Sequence, residues 1–427
     1  MRAATFFDGE EWREGTLVEL DGRMLVLDEP AAPGIPRLEG VVIGGFTDHH
    51  VHLQLVDARL LVGSRLGRVV DLGGDVATLR TASVASRTVT ARAGRAALGA
   101  GRAAETDRGV VEKGSEVDGA YRGVVENASD SAGVVEEAPA AGGRVVEKAP
   151  GRGGVVENAS GSAGVAKRVP GAASGEARLT SHAEEGRPTE GRAGEGRAGP
   201  GDRRTRIEFA GAFLTPVGGY PSDRSWAPAG SVREIATASD AASAVAEMAD
   251  AGASCVKVAS NSAAGPVFDD EFFRAIVVAA AARKLTVVAH AEGPGQAQRA
   301  ARLGAAALAH TPFSERLSDT EIAEQAGRVA WISTLAIHGP AERSTAVDNI
   351  RRFAAAGGTV RYGTDMGNGP TPVDLNHAEL AALHEAGIEG ERMLRALAPA
   401  DPRDPASVLL LLPRQTSAPS DARLLKV

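Results

Sequence analysis

Apolar and polar residues alternate from Thr16 to Val26 around Asp21-Gly22, a dipeptide that favours a tight turn, so an antiparallel hairpin is expected there. Unbroken apolar runs at 41–46 and 68–72 read instead as parallel-type strands buried on both faces. Beyond residue 205 the pattern becomes regular. Short apolar strands are expected near Ile207 and at 255–258, 285–289, 306–309, 330–335 and 359–362. Helical segments at 240–251, 269–283, 296–303 and 341–356 separate most of them, the first with Ser239 as its N-cap. Two more helical segments near 379–386 and 391–397 precede apolar runs at 408–412 and 422–427, which read as strands able to join the N-terminal hairpin. The strand–helix alternation predicts an α/β chain built on a (β/α)8 TIM barrel. A small β-sandwich-like domain made by both chain termini is expected beside it.

Composition interrupts this pattern once. Between 75 and 205 the chain lacks Ile, Met and Cys and has Tyr121 as its one aromatic residue, too little apolar surface to bury a core. Val-Val-Glu recurs there at Val110, Val124, Val134, Val145 and Val155, an internal repeat of low complexity. A long disordered insertion between barrel strands two and three is expected, with 76–104 supplying the intervening helix. The domain plan is therefore 1–40 and 401–427 for the small β-domain, 41–74 and 206–400 for the barrel, and 75–205 for the insertion.

The formal net charge of −8 disfavours a nucleic-acid partner. No apolar run reaches the ~20 residues of a spanning helix, so no membrane partner is expected. The single cysteine, Cys255, and an N-terminus without a long apolar run suggest a cytoplasmic protein. A homo-oligomer is compatible with all of this.

Candidate chemistry clusters at strand ends. In Gly44-Gly-Phe-Thr-Asp-His-His-Val-His52, alternation along a strand sends His50 and His52 to the same side. Lys257, His290, His310 and Asp365 each stand at the C-terminal end of an expected strand, the rim on which barrel active sites are built. Left unpaired in an apolar interior, such groups would be costly. Tyr220 and Arg224 after strand three and His338 after strand seven are candidate substrate contacts, the arginine for a carboxylate. Asp48 reads as a group that orients a ligand.

This ordered set resembles the amidohydrolase superfamily of metal-dependent hydrolases, in its imidazolonepropionase-like and prolidase-like branch. The resemblance covers nearly everything outside 75–205. It implies that His50, His52 and Asp365 hold one divalent ion and His290 and His310 a second. Lys257 would bridge them as a carbamate formed with carbon dioxide. Zinc is favoured, with Mn, Co or Fe suiting the same donors. The implied reaction is hydrolysis of an amide, peptide-like or cyclic amide C–N bond in a small molecule by a metal-activated hydroxide, with Asp365 moving the proton. Two alternatives stay open: a mononuclear imidazolonepropionase-like or deaminase-type hydrolase, and a catalytically inactive barrel serving as a binding scaffold.

Overall fold

The computed structural model describes residues 1–20, 22–87 and 205–426. Residues 88–204, with the Val-Val-Glu repeat and the disorder expected of it, lie outside the described residues.

The alternating N-terminal pattern forms β1 (Arg2–Phe7), β2 (Trp12–Leu20) and β3 (Arg23–Leu27), the last two antiparallel with Leu20 opposite Arg23. With β4 (Arg37–Gly44), β15 (Leu409–Leu412) and β16 (Arg423–Leu424) they build one six-stranded sheet in the order β16-β15-β4-β1-β2-β3. Both termini do meet, but in a single sheet rather than the two layers of the expected sandwich. Phe6, Leu17, Val26, Val42 and Leu409 form a core of its own on this sheet.

The apolar run expected as one strand at 41–46 is two. β4 ends at Gly44 beside Leu409, and β5 (Phe46–Val51) leaves for a different sheet, where it pairs in parallel with β6 (Leu66–Asp71). Glycine is required at the crossing. A Cβ on Gly44 would lie 1.8 Å from the carbonyl oxygen of Ala400, and one on Gly45 2.6 Å from the Cα of Gly67.

Parallel strands make up the rest. β5, β6 and β7 (Arg206–Phe209) form a three-stranded sheet. The seven-stranded sheet runs β14-β13-β12-β11-β10-β8-β9. Its members are β8 (Phe213–Pro216), β9 (Val232–Ile235), β10 (Cys255–Asn261), β11 (Thr286–Glu292), β12 (Ala307–Leu308), β13 (Ala330–Ile332) and β14 (Val360–Arg361). Backbone bonds join the two sheets on both sides. Ser254 N donates to Phe209 O at 2.9 Å, while His49 N donates to Tyr362 O at 3.0 Å and His52 N to Met366 O at 2.7 Å.

The connecting helices are α1 (76–87 among the described residues), α2 (Ala238–Ala251), α3 (Asp270–Ala282), α4 (Gln296–Arg302), α5 (Asp319–Ala326), α6 (Pro340–Ala355), α7 (His377–Glu385) and α8 (Gly390–Leu397). The start of the expected insertion is therefore ordered. Val76, Leu79, Ser83 and Ser86 are buried at helical spacing, and Ser86 Oγ accepts from Ile207 N at 3.1 Å. Thr237, not Ser239, caps α2: its hydroxyl accepts from Asp240 N and the Asp240 carboxylate accepts from Thr237 N, a reciprocal box that starts the helix earlier. Helix α5 escaped the apolar pattern because only Ile322 and Gln325 are buried on it; the Ser318/Glu321 capping box was its available signal. No helix among the described residues is long and apolar enough to cross a membrane.

Candidate metal centre

The site is assembled at the C-terminal ends of the parallel strands. The carbonyl oxygen of Ala309 lies 2.8 Å from His50 Nδ1, and that of Gly73 lies 2.9 Å from His52 Nδ1. A carbonyl only accepts, so these contacts place the ring proton on Nδ1 and leave Nε2 as the free lone pair. Asp71 supports this arrangement by accepting from Leu53 N at 2.7 Å and Gly73 N at 2.9 Å. Both Nε2 atoms point at Asp365 Oδ1, His50 from 3.2 Å and His52 from 3.1 Å. One ligand atom from each of these three buried residues lies within 4.8 Å of the other two.

Asp365 sits just past β14 in the left-handed region, φ 53°, a strained backbone for a residue other than glycine. Its Oδ2 accepts from Asn368 Nδ2 at 2.9 Å, while the buried Oδ1 completes no hydrogen bond. Burial opposes ionisation of this carboxyl, but His50 and His52 outweigh it and hold Asp365 well below the usual carboxylate range. His52 moves upward because Asp365 overcomes the effect of burial. Burial, then Lys257, pushes His50 well down. With both rings neutral, the two Nε2 lone pairs and the Asp365 carboxylate face one another with no proton between them, and a buried oxygen without a hydrogen bond stands among them. That donor set fits a divalent cation.

The other three expected ligands line the same cavity, of about 390 Å³. Lys257 lies within β10 rather than at its end, 1% exposed, and burial lowers its ammonium to about 8. His310, two residues past β12, is aimed by Thr334, whose Oγ1 is 2.9 Å from Nδ1; its ring centroid is 4.7 Å from that of His50 and 4.9 Å from that of His290. His290, on β11, is turned differently. Its Nε2 is 3.0 Å from Glu292 Oε2, and Tyr220 stacks on it with centroids 5.2 Å apart.

Tyr220 and His338 also face the cavity. His338 packs on Phe313 at 4.1 Å, its buried Nε2 has no partner, and burial lowers it to about 4. Arg224 does not line the cavity: it pairs with Asp223 at 3.2 Å and lies 5.7 Å from the Tyr220 ring centroid. Asp48 accepts from His50 N at 3.0 Å and from Thr364 N and Oγ1 at 3.1 and 2.6 Å, tying β5 to the segment that carries Asp365; burial pushes its carboxyl up to about 7. His49 takes no part, its Nδ1 3.1 Å from Tyr362 O.

Glu292 was missed from sequence, as were Asn368, Phe313 and Trp226, which line the cavity too. Glu292 carried a usable signal. The spacing His290-x-Glu292 on one strand repeats that of His50-x-His52.

No family model matches this sequence, and no curated protein matches it either. Solved structures do share its fold. An ochratoxinase from A. niger is 13% identical with a TM-score of 0.57, over 99% of this chain and 94% of the other. A putative prolidase from Bifidobacterium longum is 17% identical at 0.53, over 98% and 89%. A Xaa-Pro dipeptidase with methionine in its active site is 13% identical at 0.51, over 98% and 93%. At these identities the likeness is one of fold.

Proposed function

We propose that this chain is a metal-dependent amidohydrolase, binuclear, that cleaves the C–N bond of an amide, peptide-like or cyclic amide substrate. The observation that carries the reading is the convergence of two carbonyl-aimed imidazoles on Asp365 Oδ1, a buried oxygen that completes no hydrogen bond. In this reading β5, β6, β7 (continued by β8), β10, β11, β12, β13 and β14 close as an eight-stranded barrel through the bonds of β5 to Tyr362 and Met366 and of Ser254 to Phe209, with β9 beside β8 outside it.

His50, His52 and Asp365 would hold one ion and His290 and His310 the second, zinc being the favoured metal. Divalent ions bound there would lower the pKa of a water towards ~7 and polarise the scissile carbonyl. Lys257, whose ammonium burial lowers to about 8, would join them as a carbamate: its neutral amine adds to carbon dioxide and the N–H proton released goes to solvent, leaving an anionic oxygen pair that suits two cations. Asp365, tethered through Oδ2 to Asn368, takes a proton from the attacking water and returns it to the departing nitrogen. Tyr220 and His338 bind substrate from the cavity wall, which Arg224, paired with Asp223, does not line.

A mononuclear version draws support from the ligand atoms themselves: among the described residues, His50, His52 and Asp365 form the one group of three whose ligand atoms lie within 4.8 Å of one another. Metal analysis of the purified chain separates the two: about two ions and a 13C-labelled adduct on Lys257 support the first, one ion and a free amine the second. A panel of N-acyl amino acids, dipeptides and lactams tests the activity itself. Turnover that disappears in Asp365→Asn is expected; a metal-loaded chain that cleaves none of them would overturn the reading in favour of a binding scaffold.

A further inference from the structure

At the other end of the same strands lies a second cavity, of about 350 Å³. The apolar side chains of Val70, Leu72, Val288 and Ile332, all buried, form its inner wall. Its charged groups are Arg68, Arg361 and Glu208. These do not balance. Glu208 is 3.9 Å from Arg68 Nη1 and also 3.1 Å from Arg206, so it neutralises no more than one of the two lining arginines. Arg68 reaches His49 Nε2 at 3.4 Å, but its Nε is buried with no hydrogen-bond partner. Arg361 forms no ion pair among the described residues, and partial burial, then the nearby Arg68 charge, work against its own charge. Two guanidiniums thus share a partly apolar cavity with one carboxylate, and a buried N–H of one of them is unmatched.

We propose that this cavity binds a monocarboxylate with a compact apolar body. The excess of one positive charge calls for a single negative one. Guanidinium matches the fork of a carboxylate and satisfies the orphaned N–H, while the valine and leucine wall favours an apolar body over a water-sheathed ion. Ser254 and Thr286, which also line the cavity, add hydroxyl groups for a second carboxylate oxygen.

Calorimetric titration of the metal-loaded full chain with benzoate tests this, with benzamide and inorganic phosphate as controls. Benzoate is expected to bind at least about tenfold more tightly than benzamide or phosphate, a difference of about 1.4 kcal/mol. Arg361→Gln, a change at an exposed side chain, is expected to weaken benzoate by about tenfold, with Arg361→Lys recovering part of the loss and hydrolysis unchanged in both. Removing the metal or introducing Asp365→Asn is expected to leave benzoate binding intact. Equal affinity for benzamide, a preference for phosphate, or benzoate binding that follows the metal rather than Arg361 would each overturn the proposal. None of these three overturning results depends on turnover.

Discussion

The two ends of the parallel strands are built from neighbouring residues of the same segments and obey different rules. Along β10, Cys255 lines the far cavity and Lys257 the metal-centre cavity; along β11, Val288 and His290 divide in the same way; and Arg361 and Asp365 bracket the end of β14. At the metal centre most polar atoms are buried, and the histidines are held by a second bond on the ring nitrogen remote from the ligand position. At the far end Arg68 and Arg206 share the Glu208 carboxylate and keep contact with solvent, and Arg361 forms no ion pair among the described residues. Burial makes the difference. A polar group removed from water must be satisfied in a set geometry, whereas a guanidinium at a rim can reorient.

The sharpest way to break the comparison is Asp365→Asn, which is expected to lower hydrolysis by about 10³-fold, measured as kcat/KM, while circular dichroism stays native. An equal loss from Arg361→Gln would erase the distinction between the ends. Next in size, Thr334→Val removes the hydroxyl that aims His310 and is expected to weaken metal binding by ~10–100-fold, read by competition with a chelator. An unchanged affinity would show that packing alone aims the ring.

Smaller effects come from groups behind the centre. Glu379 is buried and accepts from Leu335 N at 2.9 Å and Ala336 N at 2.7 Å, next to Thr334. Burial pushes its carboxyl from 4.5 up to about 7, despite those bonds. Between these values the folded chain keeps a proton that the unfolded chain releases, so this group's contribution is full below pH 4.5 and is lost as pH rises through 7. Urea unfolding at a series of pH values is expected to show that slope in the parent and a flatter one in Glu379→Gln. The smallest effect belongs to Cys255, on the far side of Lys257. Burial pushes its thiol up to about 12, so native protein is expected to resist thiol reagents that label it after unfolding.

The order of elements was readable because each has a local cause. Period-two alternation marked the hairpin, and apolar runs followed by helical periodicity marked the parallel strands. What escaped was non-local. The break at Gly44-Gly45 became visible only where Ala400 and Gly67 press on those two residues. Arg224 follows strand three as expected, yet Asp223 and the Tyr220 ring hold it off the cavity lining. Glu292 shares its strand with His290, but its place in the cavity depends on Asn261 Nδ2, which donates to it at 2.7 Å from the neighbouring strand.

By itself, the chain determined which residue types could serve as ligands and that His50 and His52 face one way, since both follow from spacing on a strand. Tertiary structure alone decided that Asp365, more than three hundred positions later, turns its Oδ1 onto them, and that Ala309, Gly73 and Thr334 set each ring. Ligand geometry is a property of distances in space, and those arise only when distant strands are brought side by side by the burial of their apolar faces.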